Sequence, residues 1–466
     1  MNNRNKDIVI LGAGPAGLTA GYRIAQNGRN LSIIEKNNTV GGLAKTLQYN
    51  DCLLDIGPHI LCSREYVYDF NPEMYALIQS LLGNELYEYE SANQLYLESV
   101  WVGGAKYRYP VHILNAIKNV GLRRAIKIGM DYFHAGLSKS SGPDYQTSLY
   151  SSLGKSLSEL FLINIGEKNW GVPCNKMSAD VVMRVGDFSL LDIMIKQLKS
   201  LPGIFSKKGS PVTYPKNGIG NICDRLKEEI DKTGNAEWFF SSIPEKICVE
   251  NSLVTSMEIL CQDGTHQTLN PSYLISSIPL PTLLSVIEPK PPADVIDAAN
   301  QLRFRCHVCL YLIFKSDSIL KDHCIYFADP EIPFARMMEQ KHYSDSMIPI
   351  GKTVLSVEFF SWLNEGSWIM SDSDICNVAL HWMKKLGLIH DQVLEDFFVH
   401  REQDAYPAYE LGYDVHHAKI SAYLDGIANL DVIGRAGSFK YIGQYKVMQM
   451  GWDVAGIINN TMGMYE

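Results

Sequence analysis

Apolar and polar positions alternate in a way that predicts a parallel sheet early in the chain. Asp7 to Leu11 reads Asp-Ile-Val-Ile-Leu, a β-branched run suited to a strand covered on both faces. Glycines interrupt it at 12, 14 and 17, and Leu18-Thr-Ala-Gly-Tyr-Arg-Ile-Ala then takes up a helical period. A second apolar run, Leu31-Ser-Ile-Ile, ends at Glu35. Far downstream, Leu253 to Thr268 turns at Asp263-Gly264 and predicts a hairpin. It leads to a returning strand, Tyr273-Leu-Ile-Ser-Ser-Ile-Pro. Val308 to Phe314 and Thr353 to Phe360 are further strand candidates. Asn429 to Ile433 reads as a strand running into Gly434-Arg435-Ala-Gly437, with a helix predicted over Val447 to Asn459. His112 to Phe133 is amphipathic and carries Lys118, Arg123, Arg124 and Lys127. It is compatible with contact to a membrane surface, although a solvated helix face is the plainer reading.

These pieces imply an α/β chain whose Rossmann-type dinucleotide-binding domain is discontinuous, spread over residues 1–70, 210–290 and 415–466. A mostly helical insertion, 71–209, and a strand-rich region, 291–414, would form the substrate part. At 466 residues the chain is too long for one simple core. It shows no internal repeat, low-complexity tract or linker between independent halves.

The net charge of -9 offers no basic surplus for a nucleic-acid backbone. The ten cysteines are thinly spread, and Cys306 and Cys309 form a lone CxxC without the second pair a zinc site needs. Reduced structural cysteines in a cytoplasmic protein are the expectation, with no metal. The polar start, Met1 to Asp7, has no signal-peptide character, and no apolar run is long enough to span a bilayer.

The first glycine cluster carries a mechanism. Gly12 permits a tight turn, Gly14 lets a pyrophosphate approach the backbone, and Gly17 lets the helix pack on the strand. Glu35, ending the second strand, is placed to accept hydrogen bonds from a ribose diol. The strand, helix, strand and acid occur in the order that dinucleotide binding requires.

The pair Gly41-Gly42, followed by Leu43-Ala44, resembles an element of the large flavoprotein group of amine oxidases, desaturases and sugar mutases. That resemblance implies FAD. It implies that Gly42, Leu43, Gly434 and Arg435 lie along the cofactor, with the C-terminal helix starting beside its ring.

Within the group the chain resembles UDP-galactopyranose mutases over nearly its whole length. The matching segments are Gly57-Pro58-His59, Gly166-Glu167-Lys168-Asn169-Trp170-Gly171 with Arg184 downstream, Ile332-Pro333-Phe334-Ala335-Arg336, Ala405-Tyr406-Pro407-Ala-Tyr409, and Gly434-Arg435 with Phe439-Lys440-Tyr441. The resemblance implies that Arg184, Arg336, Tyr406 and Tyr441 surround a substrate diphosphate. Guanidinium forks suit phosphate oxygens. Trp170 and Tyr326 would contact the substrate, and His59 would lie near the flavin as a positioner. Each also has a structural alternative: a salt-bridged arginine, a turn-forming tyrosine or a core aromatic. Gly443-Gln444-Tyr445-Lys446 departs from the acidic residue and Met-His pair of many mutases, and Lys106 to Pro110 lacks a clear base-binding signature.

The implied activity is interconversion of the pyranose and furanose forms of a nucleotide sugar, through attack of reduced flavin N5 on the anomeric carbon. An electron donor, either NAD(P)H or a separate reductase, would be needed. The competing class is an FAD-dependent oxidase or desaturase. A third is a non-catalytic FAD-binding scaffold or sugar-nucleotide sensor.

Overall fold

A computed structural model describes residues 8–59, 61–62, 70–89, 98–109, 118–137, 142–181 and 212–462. Arg184, one of the anticipated site residues, lies outside them.

The N-terminal strand Ile8–Leu11 is the middle strand of a five-stranded sheet, flanked by Leu31–Ile34 and Tyr273–Ser276. Ala236–Phe239 and Leu430–Val432 complete it, and every pairing is parallel. Its two faces feed different cores. Ile8 and Ile10 pack toward helices Pro15–Gln26, Asn221–Thr233 and Gln444–Met462, while Val9 and Leu11 pack toward helices Leu280–Val286, Ala293–Gln301 and Tyr413–Leu424. Burial on both faces is why the run is continuously apolar rather than alternating. The hairpin Leu253–Leu260 and His266–Leu269 forms as its Asp-Gly turn predicts, and it lies in a separate four-stranded sheet over the second face.

A second, seven-stranded sheet has the order Val393–Pro407, Phe304–Lys315, Thr353–Ser361, Arg336–Glu339, Cys324–Phe327, Glu98–Val102, Ala105–Tyr109. Along Phe304–Lys315, Val308, Leu310, Leu312 and Phe314 face one core, and Cys309, Tyr311 and Ile313 face another. Cys306 and Cys309, three apart on this strand, therefore point to opposite faces.

The insertion expected to be mostly helical does hold helices at Pro72–Leu82, Leu122–Leu137, Tyr145–Leu153, Lys155–Phe161 and Ile163–Trp170. It also contributes a hairpin, Glu98–Val102 with Ala105–Tyr109, to the edge of the second sheet. Gly103 and Gly104 turn it with φ of 59° and 73°, the left-handed pair that a two-residue hairpin turn requires. The alternation Ser-Val-Trp-Val before the glycines and Lys-Tyr-Arg-Tyr after them is the local signal.

Candidate dinucleotide and substrate site

The glycine loops converge at the carboxyl end of the parallel sheet. Gly12 has φ 94°, and a Cβ there would strike the Ser277 hydroxyl. A Cβ on Gly17 would run into the Gly12 carbonyl, so the first helix sits on the loop without room for a side chain. Gly14 differs: a Cβ built on it meets nothing within 4 Å. The space beside Gly14, at the N-terminus of Pro15–Gln26, is open as a diphosphate cradle requires.

Two other segments close on this loop. The Gly41 N–H donates to the Ala13 carbonyl at 2.8 Å, and a Cβ on Gly42 would lie 3.4 Å from the Gly14 Cα. Leu43 follows Gly42 within the short 3-10 turn Gly42–Ala44. Gly434, φ 77°, opens the turn Gly434–Gly437, and a Cβ there would be 3.2 Å from the Ala16 Cβ. Residues some 420 positions apart thus meet around one loop.

Glu35 is buried and already engaged. One carboxylate oxygen accepts from the Ala13 N–H at 2.8 Å, and the other from the Asn37 backbone at 2.9 Å and side-chain amide at 2.8 Å. A carboxylate has about four lone-pair positions. Glu35 therefore shapes the loop and retains acceptor capacity.

The second half of the site is built by cross-strand register. Cys309 lies opposite Glu358, Glu358 opposite Arg336, and Arg336 opposite Tyr326. Directly paired residues project to the same face, so these side chains form one row. On the outer strand Cys309 is opposite His400, and Tyr406, opposite Arg305, lies further along the same sheet. Arg336 Nε donates to Glu358 Oε1 at 2.9 Å, and Nη2 pairs with Oε2. His307 Nε2 lies 2.8 Å from Glu358 Oε2. Glu358 is fully buried, and the Arg336 side chain is 16% exposed. Burial alone would raise the Glu358 carboxyl, but Arg336 and His307 hold it down at about 2.

The loop bearing Gly57, Pro58 and His59 lies over this row. A Cβ on Gly57 would be 3.6 Å from both Arg336 Nη2 and Glu358 Oε2. His59 Nε2 is 3.0 Å from the Ile56 carbonyl. Burial lowers its imidazole to about 4, the Ile56 carbonyl opposes this, and the charges of Arg435 and Arg336 add to it. His59 is therefore neutral near neutral pH.

An aromatic chain borders the same space. The Tyr406 and Tyr441 ring centroids are 5.5 Å apart, and those of Tyr441 and Trp170 are 5.2 Å apart. The Arg435 guanidinium is 5.4 Å from both tyrosine rings and donates to the Ile442 carbonyl through Nε and Nη2. Tyr326 donates to Glu98 at 3.2 Å, and the Arg336 guanidinium sits 5.9 Å from its ring. Burial raises the Tyr406 phenol, which stays a donor.

The fold thus brings Arg336, Tyr406, Tyr441, Trp170, Tyr326, Arg435 and His59 into one neighbourhood. Reading the sequence missed Glu358 and His307. The available signal was a lone acid inside the apolar strand Thr353–Ser361, because a buried charge needs a partner. It also missed what Lys168 does. Its ammonium donates to the carbonyls of Phe327 at 2.6 Å, Asp329 at 2.8 Å and Phe334 at 3.3 Å, tying helix Ile163–Trp170 to the loop before Arg336. At the start of the C-terminal helix, the Gln444 amide is buried with neither atom bonded to a described residue.

Comparisons with known proteins agree with this fold. Residues 10–81 match the model for an NAD(P)-binding Rossmann-like domain. A phytoene desaturase of Fusarium fujikuroi is 22% identical over 349 residues, covering 71% of this chain. The chain spans 59% of the length of that relative. The structure of a putative protoporphyrinogen oxidase from Exiguobacterium sp. 255-15 matches with TM-score 0.72 and 16% identity, covering 99% of this chain and 100% of the other. The fold is accordingly that of the amine oxidase-like flavoprotein group. Within that group, its architecture matches that of reduced UDP-galactopyranose mutase, with TM-score 0.81 and 20% identity over 98% of this chain and 94% of the mutase.

Proposed function

We propose that the protein binds FAD and uses it to interconvert the pyranose and furanose forms of a nucleotide sugar. The observation that carries this reading is the buried Arg336 fork, fixed by Glu358 and bordered by Tyr406 and Tyr326, beside the carboxyl end of a dinucleotide-binding sheet.

The residues present fit FAD. Open space at Gly14 receives the diphosphate, Glu35 retains acceptor capacity for the ribose, Gly42 and Gly434 let backbone approach closely, and Leu43 follows Gly42 along the cofactor. The unanswered amide of Gln444 offers a donor and an acceptor where the C-terminal helix begins. When bound in its reduced form, the flavin supplies a nucleophile for the anomeric carbon, so the sugar is rearranged without net oxidation.

The protein's own part is positional and electrostatic. Glu358 occupies Nε and Nη2 of Arg336, so Nη1 is the edge presented to phosphate oxygens. The phenols of Tyr406 and Tyr441 donate without adding charge. These groups stabilise the departing diphosphate where negative charge develops. His59, neutral, orients flavin or sugar and does not act as general base. Trp170 and Tyr326 line the remainder, and Arg184 is assigned to the diphosphate by resemblance. The substrate is a nucleotide sugar of the kind used in polysaccharide synthesis, the location is cytoplasmic, and NAD(P)H or a reductase partner supplies electrons. Among the described residues, no helix is long and apolar enough to cross a membrane.

A second reading, FAD-dependent oxidation or desaturation, is favoured by the sequence match to a phytoene desaturase. The test is anaerobic incubation of the purified flavoprotein with UDP-sugars, with and without dithionite, and anion-exchange analysis of products. An isomeric UDP-sugar formed only with reduced flavin supports the mutase. Absence of an isomer, with substrate bleaching oxidised flavin, refutes it in favour of the second reading.

A further inference from the structure

Helix Leu122–Leu137 carries an apolar stripe on the wrong side for packing. Its inner face, with Ile128, Tyr132 and Ala135, joins the core against helices Tyr145–Leu153 and Lys155–Phe161. Leu122, Ile126, Met130, Phe133 and Leu137 are 68%, 53%, 53%, 67% and 69% exposed. Their spacing, i, i+4, i+8, i+11 and i+15, puts all five on one outward face over the helix's full length. Five such side chains along one face form an apolar patch of the kind that marks an interaction surface.

The charges beside the stripe identify what it meets. Arg123 and Lys127 are exposed along one flank of the stripe, in a chain whose net charge is -9, while Arg124 lies toward the protein side, within reach of Tyr107. The helix has one acid, Asp131, and that turns inward to accept from the Ser156 backbone N–H at 3.2 Å and from its hydroxyl. Two copies meeting stripe to stripe would bring these cations together, with the helix's one carboxylate held by Ser156 and set only against its own Lys127. Anionic headgroups do answer them, while the apolar side chains enter the acyl boundary.

We propose that Leu122–Leu137 is an interfacial helix that seats the protein on an anionic membrane surface, lying in its plane without crossing it. The inference is independent of the reaction catalysed. The experiment is co-sedimentation of full-length, FAD-loaded protein with vesicles of phosphatidylcholine alone or with about 30% phosphatidylglycerol, a content giving the anionic surface potential that draws basic segments. Wild type should sediment with the anionic vesicles, less so in ~0.5 M salt. Binding should weaken at least ~10-fold in Ile126→Glu/Phe133→Glu and clearly in Arg123→Glu/Lys127→Glu. All four side chains are exposed, so melting curves should match wild type. The proposal is overturned if wild type stays in the supernatant, or if neither double variant changes binding. It is also overturned if light scattering reveals a dimer that Ile126→Glu/Phe133→Glu dissolves, which assigns the stripe to a second copy.

Discussion

Glu358→Gln isolates the electrostatic centre of the site. The Glu358 carboxyl is held at about 2, against an ordinary 4.5. A displacement of that size corresponds to about 3 kcal/mol of preference for the charged form. Removing one partner of a buried pair leaves the other charge uncompensated and costs about 3–5 kcal/mol. Glutamine keeps the shape but cannot receive the Arg336 fork or the His307 ring as a carboxylate does. The urea midpoint at pH 7 should therefore fall by an amount equivalent to about 3–5 kcal/mol. The sign in pH follows from the depressed value. Wild type keeps this stabilisation above about pH 4.5 and loses it as pH falls toward 2, whereas Glu358→Gln lacks that acid slope. Glu358→Leu/Arg336→Met removes both charges and should recover much of the stability. Tritiated UDP binding then separates fold from site. The double variant should be stable yet bind UDP at least ~10-fold more weakly, the effect of losing a charge-assisted fork. Wild-type UDP affinity in the stable double variant would refute a diphosphate role for Arg336. Undiminished stability of Glu358→Gln would refute the charge argument itself.

The two loop glycines should fail differently. Gly17→Ala drives a Cβ into the Gly12 carbonyl and should abolish soluble holoprotein, whereas Gly14→Ala should fold and melt normally but lose FAD on gel filtration, read as the flavin-to-protein absorbance ratio. Lys168→Met leaves three carbonyls without their donor, and should lower stability by about 1–3 kcal/mol in urea titration while weakening UDP binding through the loop before Arg336. The Lys168 ammonium is brought down to about 8 by burial, opposed by Asp329 and Glu331, so wild-type stability should gain between pH 8 and 10.5 relative to Lys168→Met. His59, lowered to about 4, should contribute no titration to kcat/KM between pH 6 and 8; its neutral form is favoured in the fold, so stability declines as pH falls from 6.5 toward 4, and His59→Asn should flatten that limb.

What could be read beforehand divides along the range of the interaction involved. The strand Ile8–Leu11, the helix after it, the second strand and the Asp-Gly hairpin depend on neighbouring residues, and their periodicity and glycines were readable. The C-terminal helix begins at Gln444, three residues before its apolar pattern suggested. The hairpin Glu98–Tyr109 had an equally local signal in Gly103-Gly104, obscured by the helical character of its surroundings. The Arg336–Glu358–His307 cluster had only the lone acid in an apolar strand, which does not name its partners. Its members are separated by 22 and 51 positions, and they meet only because three strands pair in one register. Nothing in a one-dimensional pattern specifies that register.

On the proposed reading, the same cluster lets an acidic chain hold an arginine for phosphate. A free guanidinium buried at this depth would be destabilising in the absence of ligand, and a mobile one would have to be ordered on binding. Glu358 answers both demands: it compensates the charge and fixes the plane of the fork, so one edge faces the site in a set direction. The cost is that the pair as a whole is near neutral, and Arg336 attracts a diphosphate less by net charge than by aimed N–H donors. Attraction at longer range then falls to other cations. Among the described residues, Arg435 lies nearby, 5.4 Å from the Tyr406 and Tyr441 rings and with Nε and Nη2 turned to Ile442. On the proposed reading, Arg336 therefore sets where the phosphate oxygens sit through aimed donors rather than through net charge.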